Sequence, residues 1–403
     1  MYKRFVSIAV VFALLCALCG AAEPRASFSA MRSGFAEKAL ASLDFKSLAV
    51  NGDYLSVIRG FGIDDGNPAN ILRETARRAG ADSLRLHGFY AFSSYNQRYV
   101  TDSMEAVSLG WSSMLSDGTL DTSSGEWKIP SSPESIISYL KANGTRIHLG
   151  VYMGAGVSSL LSNAGARAKA VASIMAAELY DGVTIDFEGL KSPSRDNFTA
   201  FITELSKQLK VKKKTLYVAV QPATADGVYY DGFDYERLGE LTDKVILMAH
   251  DYNAVNLNGY EGTERYKTTA LTPLSPVYYS LKAVSDAIAD KRKIALAISF
   301  ATLGWEIKDG LLVSGTPYHP AIETVAARIA QADTIQGWSE TYHNPYITYK
   351  TEDGKTIFLW YEDARSVNDK IRLAKMFGIN SVSLWRIGNI PDSANYSVWE
   401  SLK

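Results

Sequence analysis

Short runs of β-forming residues alternate with segments of helical periodicity from residue 84 to the C-terminus, and this alternation is the strongest constraint on the fold. Alternating strands and helices predict a parallel sheet with right-handed crossovers, and eight such units across roughly 300 residues favour a closed (β/α)8 barrel over an open sheet. The predicted strands are residues 84–95, 106–112, 146–153, 182–188, 216–221, 244–252, 293–300 and 381–386. The predicted helices are residues 132–141, 167–179, 195–209, 235–241, 277–289 and 364–377.

An aromatic-rich segment separates the seventh and eighth predicted strands. Residues 346–349 and 356–361 alternate like strands, and the sequence TEDG between them predicts a hairpin turn. We therefore expect a small antiparallel insertion at about residues 303–362, within a barrel domain of residues 84–403. The aromatic rings predict at least one platform on which a ligand such as sugar could stack, and the alternative is that they pack the insertion's own small core.

The N-terminus has the parts of a secretory signal peptide. Basic residues at positions 3 and 4 precede an apolar run at residues 5–18, and small residues follow at positions 20–22. We expect residues 1–22 to be removed and the mature protein to be exported to the cell envelope or beyond it. Cys16 and Cys19 both lie inside this segment, so cleavage would leave no disulfide. A lipoprotein anchor on Cys19 is the alternative.

Residues 23–83 carry helical periodicity on both sides of a Gly-rich turn at residues 59–62 and an acidic turn at residues 64–68. This segment resembles one degenerate S-layer homology repeat, a module that docks on cell-wall polymers. Such repeats usually come in threes and only one fits here, so a helical appendage packed on the main domain is the favoured interpretation.

The composition is that of an ordinary globular protein, with 47% hydrophobic and 21% charged residues in 403. A formal net charge of −1 provides no electrostatic basis for binding nucleic acid or an anionic membrane. Beyond the N-terminal run, the sequence contains no stretch of about 18 uncharged apolar residues, the length that a membrane span needs. We expect a monomer.

The most informative stretch is residues 180–190, where Val183, Ile185 and Phe187 alternate with three polar residues. In a strand, that alternation places Asp186 and Glu188 on one face. Charged residues are rarely buried without a partner, so two acids on a core-like strand favour a functional site. An edge strand with a solvated face is the alternative, but helical patterns on both sides favour a central strand.

Residues 181–188, read DGVTIDFE, resemble the fourth-strand signature DGxDxDxE of family 18 glycoside hydrolases, the chitinases and endo-N-acetylglucosaminidases. Residues 247–252 resemble the sixth-strand M-x-Y-D element of that family, and residues 382–386 resemble its eighth strand with a Trp that floors the sugar site. The segments 117–118, 218–222 and 231–235 resemble the bacterial branch that acts on peptidoglycan, including spore-cortex lytic enzymes. The resemblance extends from about residue 84 to the C-terminus.

The spacing of the two acids agrees with the chemistry that the resemblance implies. Residues two apart on a strand are only about 7 Å from each other, so Asp186 cannot attack from the face opposite an acid at Glu188. The resemblance implies that the substrate's own N-acetyl oxygen is the nucleophile, with net retention. Glu188 would then protonate the leaving oxygen and later activate water, while Asp186 would orient the acetamide and stabilise its positive charge.

The sequence departs from the family pattern at two positions. Thr184 stands where many chitinases carry the first inner Asp, which would give Asp186 a neutral hydroxyl partner. His250 stands where the family usually has the Tyr that hydrogen-bonds the acetamide carbonyl; its imidazole could donate one such bond in a pH-sensitive way, and a core histidine is the alternative. The predicted substrate-binding residues are Thr184, Gln221, Met248, His250, Asp251, Tyr252 and Trp385.

No cofactor or metal site is predicted, because the five histidines show no ligand spacing with each other or with a cysteine. The resemblance implies an exported glycosidase whose partner is an N-acetylglucosamine-containing polysaccharide, peptidoglycan or chitin. The alternative is a carbohydrate-binding barrel of the same fold with weak or lost catalysis.

Overall fold

The computed structural model describes residues 83–91, 95–124, 128–223, 230–253 and 256–402. The predicted signal peptide with both cysteines, and residues 23–82 of the predicted N-terminal segment, lie outside these ranges. No helix within the described ranges has the length and apolar character needed to cross a membrane.

Eight parallel strands close into a barrel, which confirms the predicted fold. Around the barrel they are β1 (Arg85–Tyr90), β2 (Ala106–Met114), β4 (Arg146–Met153), β5 (Gly182–Phe187), β6 (Thr215–Val220), β7 (Lys244–Leu247), β8 (Ile294–Ser299) and β14 (Ser381–Trp385). The sheet closes because β1 pairs in parallel with both β14 and β2. A short strand, β3 (Leu120–Asp121), pairs antiparallel with the end of β2.

Helices cover the outside of the barrel, except for the seventh along the chain, which packs on the antiparallel insertion. They are α1 (Pro133–Ala142), α2 (Val157–Ser162), α3 (Ala164–Ala176), α4 (Arg195–Val211), α5 (Tyr235–Leu241), α6 (Leu274–Ala287), α7 (Ile322–Ile329) and α8 (Ala364–Met376). Short 3₁₀ segments lie at Tyr95–Ser103, Ser192–Ser194, Arg265–Thr268, Lys291–Lys293 and Trp399–Ser401. All six predicted helices are present, with ends shifted by at most three residues, whereas α2 and α7 were not predicted.

The alternation in β5 divides its side chains between two environments. Val183, Ile185 and Phe187 join the apolar core between the barrel and the helices, and the ring of Phe187 stacks on Phe201 of α4 with centroids 5.4 Å apart. The polar residues of β5 therefore face the barrel interior, and β5 is a central strand between β4 and β6. The edge-strand alternative is wrong.

Six strands end earlier than predicted, and three of these differences matter for the site. β7 ends at Leu247 rather than at residue 252, because the backbone turns: the Ala249 N–H donates to the Leu247 carbonyl at 3.0 Å, and Asp251 has a φ of 57°. β5 ends at Phe187 and β6 at Val220, so Glu188 and Gln221 are the first residues beyond their strands.

A five-stranded antiparallel sheet follows β8, in the order β10 (Leu311–Leu312), β9 (Leu303–Lys308), β13 (Thr356–Trp360), β12 (Asn344–Lys350) and β11 (Ile335–Ser339). The predicted hairpin is the β12–β13 pair. Its turn is closed by a hydrogen bond from the Thr351 N–H to the Lys355 carbonyl at 2.8 Å, and Gly354 supplies a φ of 82° that other residues rarely adopt. A two-strand ribbon, β15 (Asp392–Ser393) with β16 (Tyr396–Ser397), lies near the C-terminus.

Most aromatic rings of this sheet pack its own core, so the predicted stacking platform is wrong for them. Trp305 is fully buried, and Trp360 and Phe358 are nearly so. The indole N–H of Trp305 donates to Thr269 Oγ1 at 2.8 Å, and that of Trp360 donates to the Tyr266 carbonyl at 3.1 Å. These contacts attach the sheet to the loop that follows β7.

Candidate active site

The polar face of β5 brings its acids to the C-terminal end of the barrel, where (β/α)8 enzymes place their active sites. All six residues of β5 are buried, and Asp186 is only 5% exposed. Glu188 follows the strand directly and is partly exposed. One carboxyl group therefore lies inside the barrel mouth and the other lies at its rim.

Backbone hydrogen bonds on both sides of Glu188 hold it in place. Its own N–H donates to the Met153 carbonyl of β4 at 2.9 Å. The next N–H, that of Gly189, donates to Gln221 Oε1 at 2.5 Å. Gln221 is itself held by Tyr235, whose hydroxyl donates to the Gln221 carbonyl at 2.7 Å. Gln221 thus supports the loop that carries Glu188. The sequence predicted only a sugar contact for this residue.

Both acids are biased towards their protonated forms. Burial, and then the neighbouring Glu188, raise the pKa of Asp186 well above its usual value. Burial raises the pKa of Glu188; His250 acts to lower it and Asp251 to raise it, and the net direction is upward. Asp186 Oδ1 is buried and has no hydrogen-bond partner. The pair therefore holds a proton more tightly than ordinary carboxyl groups do, which favours a general acid.

Thr184 does not play the part that was predicted for it. It is fully buried, and its hydroxyl lies 2.6 Å from Ser108 Oγ and 3.2 Å from His148 Nδ1. With Asp186 Oδ1 unpartnered, the expected hydroxyl partner for Asp186 is not formed. A residue with no exposed surface cannot contact a sugar, so its assignment as a substrate-binding residue is wrong.

His250 and Asp251 form a hydrogen-bonded pair beyond β7. His250 Nδ1 lies 2.8 Å from Asp251 Oδ2, and the His250 side chain is 9% exposed against 38% for Asp251. Burial opposes ionisation of Asp251, but the charge and hydrogen bond of His250, with a further contribution from His319, leave its pKa below the usual value. His250 also acts on the pKa of Glu188, which places this pair in the same site.

Met248 and Trp385 form an apolar floor between the polar groups. Both are partly buried and pack on an apolar cluster inside the barrel that includes Phe89. The rings of Trp385 and Phe89 meet edge to face with centroids 5.3 Å apart. A partly exposed indole on an apolar base is suited to stacking against a sugar ring.

Tyr252 points elsewhere. Its hydroxyl lies 2.7 Å from Ser280 Oγ and donates to the Pro276 carbonyl at 3.3 Å, and both partners belong to α6. Because its polar end is engaged by this helix, Tyr252 anchors the loop after β7.

Two residues of the site were missed from the sequence. Tyr152 of β4 is the direct strand partner of Asp186. Burial and the charges of Glu188 and Asp186 raise its pKa, so its phenol stays protonated beside the acids. The inward alternation of residues 148, 150 and 152 could have revealed it. His319, whose Nδ1 lies 2.7 Å from the Thr302 carbonyl, influences Asp251 from the insertion, and only the tertiary fold brings it there.

Within the described ranges, no cluster of three or more His, Cys, Asp or Glu side chains could hold a metal ion. The polar groups described above are donors, acceptors and acids without the convergent ligand set of a metal site.

Comparisons with known proteins agree with this geometry. The family described as Glycosyl hydrolases family 18 matches residues 141–389, more than half of the chain. A cortical fragment-lytic enzyme of Bacillus anthracis is 27% identical over 252 residues, which cover 60% of this chain and 55% of that protein. The chain spans about half the length of the curated relatives that it matches.

Solved structures share the fold. A chitinase from Chromobacterium violaceum has a TM-score of 0.65 at 20% identity, over 79% of this chain and 98% of that one. The spore cortex-lytic enzyme SleL of Bacillus cereus has a TM-score of 0.63 at 21% identity, over 79% of this chain and 73% of that one. Identities this low establish the common architecture alone.

Proposed function

The chain belongs to glycosyl hydrolase family 18, and from that premise we propose that it hydrolyses β-1,4 bonds on the reducing side of N-acetylglucosamine in peptidoglycan or a chitin-like glycan. Its relatives with solved or curated descriptions include cortex-lytic enzymes and chitinases, which supports this substrate class. Peptidoglycan is favoured over chitin because the curated relatives with the highest coverage are named for sporulation or the spore cortex.

One observation carries the mechanism: Asp186 lies near the end of β5 and Glu188 directly follows that strand, so the two acids are about 7 Å apart along the chain. A retaining pair of enzymatic carboxylates must flank the sugar from opposite sides, and two acids on one strand cannot do so. The nucleophile is therefore the carbonyl oxygen of the substrate's N-acetyl group, which attacks the anomeric carbon and forms a cyclic oxazolinium ion with net retention.

The two acids then divide the work. Glu188, at the rim and with a raised pKa, donates its proton to the leaving glycosidic oxygen and afterwards removes a proton from the attacking water. Asp186, buried and with Oδ1 unpartnered, accepts a hydrogen bond from the acetamide N–H and stabilises the positive charge that grows there. Trp385 supports the sugar ring from below.

Asp251 is a third acid at the site and offers a different chemistry. Asp251 follows β7, which is two strands from β5, and its pKa is lowered. Its charge raises the pKa of Glu188. Glu188 as the acid and Asp251 as the base could therefore form an inverting pair. One carboxylate oxygen of Asp251 already accepts a hydrogen bond from His250, which favours a role for Asp251 in positioning His250. The anomeric form of the first product distinguishes the two chemistries.

The test uses purified peptidoglycan and N-acetylated chitin oligosaccharides, with products identified by mass spectrometry and the initial anomer by proton NMR. We expect β-configured products with N-acetylglucosamine at the new reducing end. Glu188→Gln should lower kcat by about 10²-fold or more, the usual contribution of a general acid. Glu204→Gln on the solvent-facing side of α4 is the matched control.

Three other results would change the conclusion. Full activity in Glu188→Gln removes Glu188 from the mechanism, and α-configured first products transfer the base role to Asp251. Binding of the oligosaccharides without turnover by the wild type supports the carbohydrate-binding barrel with lost catalysis.

Export is part of the proposal, because a polymeric wall glycan is met outside the cytoplasm. The features at residues 1–22 support a cleaved signal peptide. N-terminal sequencing of the mature protein tests it: a start at residue 22 or 23 supports cleavage, and a lipid-modified Cys19 supports the anchor instead.

A further inference from the structure

The barrel interior contains a continuous run of polar side chains just below the two acids. Six strands contribute one residue each, and we call the set the interior chain: Ser383, His87, Ser108, Thr184, His148 and Thr215. Successive polar atoms are separated by 2.7, 2.8, 2.6, 3.2 and 2.8 Å. All members are buried except Thr215, which is partly exposed. The proposed function does not use this chain.

Counting protons assigns a direction to these contacts. The far end is the Asp181 carbonyl, which can only accept, and the Thr215 hydroxyl donates to it at 3.2 Å. With the Thr215 proton given to Asp181, the Thr215 oxygen is free to accept from His148 Nε2–H; a neutral imidazole has only one N–H, so His148 Nδ1 then accepts from Thr184.

The same count continues to the other end. Thr184 accepts from Ser108, Ser108 accepts from His87 Nε2, and His87 Nδ1 accepts from Ser383. Every proton in the chain has an acceptor in this direction. In the reverse direction His87 Nδ1 would donate to Ser383, and the Ser383 hydroxyl proton would have no acceptor within the interior chain. An unsatisfied hydroxyl is costly in a buried residue.

The surroundings keep both histidines neutral, as the count requires. Burial, with smaller contributions from His148 and Lys244, lowers the pKa of His87 well below its usual value. Burial and the Arg146 charge lower the pKa of His148 to about 3, against a small opposing contribution from the Val183 backbone. The ring of Tyr217 packs on both, with centroids 4.1 Å from His148 and 5.8 Å from His87.

Gly182 leaves room for the end of the chain. A Cβ at this position would lie 2.4 Å from Thr215 Oγ1 and 2.8 Å from His148 Nε2. Any larger residue would therefore break the hydrogen bond between these two atoms. The glycine belongs to β5 itself, so the strand that carries the acids is shaped to fit the interior chain.

We propose that the interior chain is a positioning device for β5: it holds His87 and His148 as neutral Nε2–H tautomers and turns the Thr184 hydroxyl proton toward His148, away from Asp186. The consequence for catalysis rests on the proposed function. With Thr184 committed elsewhere and Oδ1 of Asp186 unpartnered, Asp186 is left to interact with Glu188, Tyr152 and the substrate acetamide. A carboxylate at position 184 would instead compete for the Asp186 proton.

Nitrogen-15 NMR of the full chain with labelled histidine tests the tautomers directly. We expect two of the five histidines to remain neutral Nε2–H tautomers throughout a titration from about pH 8 to about pH 5, where ordinary histidines take up a proton. Titration of these two side chains in that range, or Nδ1–H tautomers, overturns the proposal. His87→Gln and His148→Gln assign the signals.

Coupling along the chain is tested at its far end. Thr215→Val removes the acceptor of His148 Nε2–H and should switch both histidines to Nδ1–H, although His87 contacts only Ser383 and Ser108 in the chain. Thr215→Ser restores the hydroxyl and should keep both signals as in the wild type. An unchanged His87 in a folded Thr215→Val protein would show that no directed chain links the two.

Kinetics test the positioning role. Thr184→Ser keeps the hydroxyl and should retain wild-type kcat, whereas Thr184→Val should lower kcat about tenfold, the effect of one lost hydrogen bond. KM should stay within about twofold in both variants, because Thr184 is fully buried. Equal kcat in the Val variant, or an effect confined to KM, contradicts the role. If the wild type hydrolyses no glycan, the proposed function fails, while the NMR experiments still decide the interior chain.

Discussion

Asp251 Oδ2 accepts the Nδ1–H of His250 at 2.8 Å, and this contact decides what the imidazole can offer a substrate. A neutral imidazole has one N–H, so with Nδ1–H given to Asp251 the Nε2 atom carries no proton. His250 can therefore donate to an acetamide carbonyl only as the imidazolium. The sequence-based expectation of a simple donor in place of Tyr needs this correction.

The first prediction tests whether a substrate uses a donor at position 250. His250→Tyr supplies a hydroxyl that can donate to the acetamide carbonyl, and it should lower KM for chitin oligosaccharides about tenfold, the value of one hydrogen bond. His250→Phe keeps a ring without a donor and is the matched control, with KM close to that of the wild type. An unchanged KM in the Tyr variant would show that the acetamide does not contact position 250.

Asp186 should lower the stability of the fold as pH rises. Its pKa is raised on folding, so the folded state binds the proton more tightly than the unfolded state does. Its stabilising contribution is therefore complete below the unfolded pKa and is lost as pH rises through the folded pKa. Asp186→Asn should raise the free energy of unfolding by about 1–3 kcal/mol at pH 8, the scale of an unsatisfied buried polar group, and by less at pH 5.

Urea denaturation of Asp186→Asn and wild type at both pH values checks this. The variant should also lose most of its activity, a trade of function for stability. A variant that is less stable than the wild type at both pH values would show that the buried carboxylate contributes favourable contacts instead.

A buried ion pair connects the antiparallel insertion to the barrel. Lys370 of α8 and Glu362, just after β13, are 1% and 3% exposed and 2.8 Å apart. Glu362 also accepts hydrogen bonds from Asn344 Nδ2 at 2.7 Å and Ser366 Oγ at 2.6 Å. Lys370→Met leaves this buried carboxylate without its charge partner and should cost about 3–5 kcal/mol.

The matched control is the surface pair of Lys267 and Glu264, whose side chains are 48% and 61% exposed. Lys267→Met should change the free energy of unfolding by less than about 1 kcal/mol. Denaturant midpoints of the two variants provide the comparison, and similar losses in both would contradict a special role for the buried pair.

Trp385 should contribute binding more than chemistry. It is partly exposed above Phe89 and carries no acid or base, so Trp385→Ala removes stacking area from the sugar site. We expect the affinity for an N-acetylated oligosaccharide to fall about tenfold or more, measured by calorimetry in a Glu188→Gln background that does not turn over. Trp305→Phe in the insertion core is the control and should leave the affinity unchanged. Unchanged affinity in the Trp385 variant would move the sugar site elsewhere.

The barrel and the two acids could be read from the sequence because both follow from local patterns. Strand alternation requires Asp186 and Glu188 to share a face, whatever surrounds them. Eight alternating units leave few architectures other than a closed barrel. The aromatic insertion was located correctly for the same reason, since period-two alternation predicted its β12–β13 hairpin.

Partners that come from distant strands could not be predicted. Thr184 was expected to face Asp186, but barrel closure brings Ser108 and His148 next to its hydroxyl instead. Tyr252 was expected to face a sugar, but the turn after Leu247 directs it to α6.

The amino-acid sequence by itself determined the order of strands and helices, the family and the position of the two candidate acids along the chain, because these depend on periodicity and on neighbours in sequence. Tertiary structure alone decided the burial of Asp186 and the hydrogen-bond partners of Thr184. Those partners lie 76 and 36 residues away along the chain, and only the closed barrel brings them within hydrogen-bonding distance.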